Sequence, residues 1–139
     1  MGYYSELYEW DVDLIITSID LLAKEVDKLE HPTISNVAIF EDGKIKEWLS
    51  SGHGETPVYS QAYRIDKDTI KITDIAQEYD KFYDLEEEIK LLARYSAGGS
   101  LFVHLRGEDE AHWGYVIKDG KAWEIIYELV ERCRNPLSI

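Results

Sequence analysis

The sequence predicts an α+β domain: a mainly antiparallel sheet with two helices packed on one face and a C-terminal three-stranded meander. Three observations predict it. Short runs alternate apolar and polar residues, as half-buried strands do. Two segments switch to a spacing of three and four residues, as amphipathic helices do. Strands and helices are mixed without the strict βαβ alternation of a parallel sheet. At 139 residues the chain fits a single domain, 1–139, and is long enough to bury a core without disulfides or a structural metal.

The elements follow in order. Tyr4, Tyr8, Trp10, Val12, Leu14 and Ile16 fall on alternate positions, with Glu6, Glu9, Asp11 and Asp13 filling much of the space between. This predicts a strand over 3–16 with a bend or bulge. Ile19, Leu22, Val26 and Leu29 then repeat at three and four residues, one face of a helix, with Thr17 or Ser18 as its N-cap and His31-Pro32 as its stop. The stretch 35–48 reads as a hairpin turning at Asp42-Gly43. Two more short strands flank Asp66-Lys67-Asp68. The clearest helix lies in 84–99: Asp84 and Glu87 form a capping pair, Leu85, Ile89 and Leu92 the buried stripe, and Gly98-Gly99 the stop. In the last third, Leu101, Val103 and Leu105 alternate with Phe102, His104 and Arg106, and 107–111 turns the chain. Trp113, Tyr115 and Ile117 then share one face, with His112, Gly114 and Val116 on the other. Asp119-Gly120 makes the next turn; 122–133 reads equally as strand or helix. Trp113, Tyr115, Trp123 and Ile125 are expected on one apolar face of the meander, with His104 and His112 opposite.

Composition narrows the function. Acidic residues number 28 against 15 basic, a net charge of −13. Phosphates would be repelled, so direct nucleic-acid binding is disfavoured and a basic protein surface is the expected partner. No apolar run is long enough to span a bilayer, and the first residues do not read as a secretory signal. Tyr3 and the strand after it argue against myristoylation of Gly2. The single cysteine, Cys133, can make no internal disulfide, and a reducing cytoplasm is the expected address.

The segment 91–125, together with the opening Met-Gly-Tyr-Tyr, resembles small uncharacterised proteins of phages and mobile elements. Gly99-Ser100, Gly107-Glu108-Asp109, Trp113 and Gly120 carry the likeness. It covers the first few residues and about a quarter of the chain. The resemblance implies a genetic setting and no activity. Tyr115 and His104 lie where such proteins vary, so it assigns them no role.

The candidate sites come from clusters. His104 and His112 flank a short turn, and with Glu124 they would supply two imidazoles and a carboxylate to a metal or to acid–base chemistry; the stretch is better explained as architecture, with His104 on the sheet surface and His112 beside the turn. The glycine-rich 50–55 loop lacks the lysine and spacing of a phosphate loop, although His53 within it is an accessible imidazole. Cys133 lies between two arginines, Arg132 and Arg134, with no base in view. Three acidic clusters remain: Glu9, Asp11 and Asp13 with Glu6 on the first strand; Glu86, Glu87 and Glu88 at the start of the second helix; and Glu108, Asp109 and Glu110 in a turn. Glu9, Asp11, Asp13, Glu86, Glu87, Glu108, Asp109 and Glu110 are the expected partner-binding residues. The resulting expectation is an acidic, non-enzymatic protein-binding module without cofactor or membrane contact. In the phage setting it would inhibit a host defence or nucleic-acid-handling machine. A small metal-dependent hydrolase using His104, His112 and Glu124, and a homo-oligomeric structural protein, are the alternatives.

Overall fold

The computed structural model describes residues 3–51, 58–76, 79–128 and 133–138. Its elements run β1 (Ser5–Thr17), α1 (Ile19–Val26), β2 (Val37–Glu41), β3 (Lys44–Trp48), β4 (Ser60–Asp66), β5 (Thr69–Ile75), β6 (Tyr79–Asp80), α2 (Leu85–Arg94), β7 (Ser96–Gly107), β8 (His112–Lys118) and β9 (Lys121–Ile126). One sheet takes all the strands, in the order β3-β2-β4-β5-β1-β7-β8-β9, with β6 paired to β1 off that path.

β1 is the spine of this sheet. It pairs with β5 from Leu14↔Ile72 to Thr17↔Thr69, and on its other side with β7 from Ser5↔Gly107 to Ile16↔Ser96. A strand paired along both edges has its backbone hydrogen bonds satisfied, so its alternate residues are free to be wholly buried.

The expected mainly antiparallel sheet with a three-stranded C-terminal meander is corrected here. The sheet is mixed, because β2 and β4 run parallel from Val37↔Ser60 to Phe40↔Tyr63. β3 is the edge strand on one side of β2, and β4 lies on the other. Nor do the last strands stand as a unit of their own. β7 lies between β1 and β8, so β7, β8 and β9 are one end of the continuous sheet. Periodicity reports that a segment is a strand; the order of strands rests on contacts far apart in sequence.

The core lies on one side of the sheet. Leu7, Val12, Leu14 and Ile16 of β1 and Leu101, Val103 and Leu105 of β7 are buried there, in one cluster with Ile19, Leu22 and Val26 of α1 and Leu85, Ile89 and Leu92 of α2. The stripes expected for both helices are the ones that reach the core. α1 stops at Val26, short of the expected Leu29, and Lys28 and Leu29 continue as a turn bonded to the carbonyls of Glu25 and Val26. Ser18 precedes α1 in the left-handed region at φ 54° and makes no side-chain cap, correcting its expected role. Asp84 likewise makes no cap to α2. Its carboxylate accepts instead from the His31 backbone N–H at 2.8 Å.

Two turns follow from local chemistry. Asp42-Gly43 (φ 55° and 76°) joins β2 to β3, and Asp119-Gly120 (φ 53° and 72°) joins β8 to β9. Positive φ at both central residues matches the twist of paired strands. Gly98-Gly99 does not stop α2, which ends at Arg94; both glycines lie inside β7. A Cβ on Gly99 would lie 1.9 Å from the Asp13 carbonyl oxygen, so the close approach of β1 requires glycine there. No helix among the described residues is long and apolar enough to cross a membrane.

Candidate functional site

The face of the sheet away from the helices is solvated, and its chemistry gathers at the β1–β7–β8 end. The register sets the placement. Glu9 stands opposite His104, Asp11 opposite Phe102 and Asp13 opposite Ser100. Across the next ladder His104 pairs with Gly114 and Arg106 with His112. Partners in a ladder project to the same side, so Glu9, Asp11, Asp13, His104, Arg106 and His112 share the open face.

A bulge modifies that face. The β1–β7 register shifts between Leu7↔Leu105 and Glu9↔His104, leaving Tyr8 as the extra residue. An extra residue breaks strict alternation and re-aims a side chain. Tyr8 and Glu9, consecutive in sequence, therefore both reach His104. The Tyr8 ring lies 4.9 Å from the imidazole of His104 and 5.7 Å, edge-on, from that of His112.

The two imidazoles meet directly. His104 Nε2 and His112 Nδ1 are 2.8 Å apart, a hydrogen bond in which one ring donates and the other accepts. Glu9 Oε2 stands 3.8 Å from His104 Nδ1. A proton on Nδ1 faces that carboxylate and leaves Nε2 to accept from His112. Tyr127, just beyond β9, stacks on His104 at 4.2 Å and 15°. These rings bury His104 to 7% exposure. Burial, and then the neighbouring His112, hold its pKa below the usual histidine value, against a smaller upward pull from Glu9. The same burial raises the Tyr127 hydroxyl, helped by Glu9.

Tyr8, His104, Glu110, Ala111, His112, Tyr127 and Glu128 line a groove of about 700 Å³. Its walls are aromatic and its rim is acidic. No Ser, Thr, Cys or Lys side chain lines it among the described residues.

The structure divides the expected acidic residues. Glu9, Asp11, Asp13 and Glu110 lie on or beside the open face, where Asp13 is ion-paired to Lys71 at 2.9 Å. Glu108 and Asp109 are engaged within the chain: Glu108 Oε1 accepts from the Tyr4 backbone N–H at 2.6 Å, and Asp109 accepts from the Tyr3 hydroxyl. That hydroxyl and the Ala111 N–H hold the Asp109 carboxyl below its usual range. Glu86 and Glu87 are exposed on α2, in the layer that covers the core side, and share Lys90. Glu88 is not on the surface at all. Fully buried, it accepts from the backbone N–H and hydroxyl of both Thr33 and Ser35 at 2.6–2.8 Å.

Glu124 does not complete a set with His104 and His112. It pairs with Tyr115, while His104 is opposite Gly114, so Glu124 projects to the helix side near Glu86, Ile89 and Lys90. Trp123 and Ile125, paired with Val116 and Gly114, lie on the open face, correcting their expected place beside Trp113 and Tyr115. No group of three or more His, Cys, Asp or Glu that could hold a metal occurs among the described residues. His53 lies outside the described residues. Cys133 is exposed, 3.8 Å from the Asn135 side-chain nitrogen.

Tyr8 and Tyr127 are the groove residues that strand alternation misses. Only the bulge brings in the first, and the second follows the last strand. A further pair was equally unforeseen: His31 Nε2 meets Asp80 Oδ1 at 2.6 Å, joining the 31–36 segment to β6.

Compared with protein-family models, with curated proteins and with solved structures, the chain shows no significant match to any.

Proposed function

We propose that this is a non-enzymatic binding domain whose open sheet face docks a basic protein surface. The observation that carries this reading is the groove at the β1–β7–β8 end, where four aromatic rings open between Glu9, Glu110 and Glu128. Aromatic side chains supply most of the energy at protein interfaces, and surrounding charge supplies steering and specificity. Asp11 and Asp13 extend the acidic strip along β1. The rings and carboxylates that line the groove are the chemistry of a protein interface. The phage resemblance makes a host defence or nucleic-acid-handling protein in the cytoplasm the partner class, with its basic groove occupied by this face.

The test is affinity capture from host lysate at low and then high salt, with two charge-reversed variants. A basic protein should be retained at low salt, elute as salt rises, and be lost when Glu9, Asp11 and Asp13 are changed to Lys. It should be retained when Glu86 and Glu87 are changed to Lys. Retention that ignores salt, or that fails with the helix-side variant instead, counts against the reading.

A further inference from the structure

We propose that the groove is the seat of an arginine side chain from the basic partner. The inference rests on the binding reading above and adds the chemistry by which the partner is recognised.

Three observations point to a planar cation. The first is the arrangement of rings. Tyr127 and His104 are stacked nearly parallel, and Tyr8 stands at 57° to His104 and edge-on to His112. Tyrosine faces carry negative quadrupole charge and attract a cation lying within about 6 Å of the ring centroid. The second is the charge around those rings. Glu9 reaches within 3.8 Å of His104, and Glu110 and Glu128 line the groove. Neither of the latter two is paired with a cation among the described residues. An anionic or purely apolar occupant would leave those carboxylates repelled or desolvated without a partner. Among the described residues a divalent metal would find two imidazoles and no third converging ligand.

The third observation is a precedent within the chain. The Arg106 guanidinium lies over the Tyr8 ring at 5.1 Å and is ion-paired to Glu6. The Tyr8 ring thus already accepts a guanidinium on one face, with a carboxylate beside it. A guanidinium matches such a site better than an ammonium does, because its plane stacks on rings while its edge donates a fork of N–H bonds to carboxylates. At about 700 Å³ the groove also leaves room for the backbone on either side of an inserted side chain.

The site can be probed without knowing the partner. The experiment uses the full chain at pH 7.5 in low salt with a chelator present. It is titrated with a five-residue peptide, acetyl-Gly-Ser-Arg-Ser-Gly-amide, and with versions carrying lysine or the uncharged isostere citrulline in place of arginine. Aromatic proton resonances of the tyrosines and histidines report binding. The arginine peptide should shift the signals of Tyr8, His104, His112 and Tyr127 saturably, and the citrulline peptide should not. Tyr8→Ala should weaken binding about ten-fold while Tyr8→Phe keeps most of it, separating loss of a π face from loss of a hydroxyl. Changing Glu110 and Glu128 to Gln should weaken binding and flatten its salt dependence; changing Glu86 and Glu87 to Gln should do neither.

Equal binding of the arginine and citrulline peptides overturns the inference, as does saturation that perturbs the Glu86 side instead. A lysine peptide that binds as tightly overturns the arginine assignment. Absence of peptide binding, with charge-sensitive capture of a basic protein retained, overturns the groove inference and leaves the binding reading standing. Loss of both overturns both.

Discussion

A buried imidazole on an otherwise solvated sheet face titrates against its surroundings. His104 is held below its ordinary value of 6.5 first by desolvation and then by His112. The folded protein therefore holds fewer protons at this site than the unfolded chain does. Its contribution to stability is complete above about pH 6.5 and is lost as the pH falls through the lower folded value. Glu88 works in the opposite sense, since burial raises its carboxyl and so its contribution fades as the pH rises through that raised value. That contribution is common to wild type and a His104 variant, and it cancels in their difference. The urea midpoint should fall more steeply between pH 7.5 and 5.5 for wild type than for His104→Gln. Parallel pH dependences would mean that His104 titrates alike folded and unfolded. The presence of two histidines near a turn was legible in the sequence; their 2.8 Å approach was not, because it depends on the Arg106↔His112 register.

At the scale of the element, α2 does more than cover the sheet. Leu85, Ile89 and Leu92 form the stripe that its spacing predicts. Glu88 sits beside that stripe and holds the 33–35 segment through four donors, two backbone and two hydroxyl. All four point protons at one carboxyl, which suits the anion and opposes the cost of its burial. Glu88→Ala leaves the buried N–H groups of Thr33 and Ser35 without acceptors. It should destabilise the protein by about 3 kcal/mol or more in chemical denaturation. Glu88→Gln, which turns an NH2 toward donors, should recover only part of that. A loss below about 1 kcal/mol for Glu88→Ala would show that the segment finds other acceptors. In sequence Glu88 is indistinguishable from Glu86 and Glu87 as an acidic residue of a first turn. Its burial follows from the 31–36 segment packing against that face of the helix, a contact across more than fifty residues.

Over the whole molecule the charge of −13 acts as a field. Glu9, Asp11 and Asp13 align along one strand, and Glu86 and Glu87 lie in the opposite layer, so like charges surround the core. Such a fold repels itself at low ionic strength, and salt screens the repulsion. The melting temperature should rise by about 3 °C between 10 mM and 150 mM sodium chloride, the shift expected for about 1 kcal/mol in a domain of this size. A melting temperature that falls with salt would mean that attractive pairs such as Lys71–Asp13 and Arg64–Glu47 outweigh the net repulsion.

Within the chain, local order alone determined a good deal. Alternation in β7, in β8 and in β1 from Trp10 onward marked which residues share a face, while before the bulge Leu7 and not the expected Tyr8 is in the core; Asp42-Gly43 and Asp119-Gly120 marked their turns, and the spacing in α2 marked its buried stripe. These features depend on neighbours within a few residues, where backbone geometry acts directly. The parallel β2–β4 pairing, the side to which Glu124 points, the bulge at Tyr8, the glycine demanded at 99 and the His104–His112 contact were decided only in the tertiary structure. Each is set by which distant strand lies alongside and in what register. A shift of one residue turns a side chain to the other face without changing any local pattern.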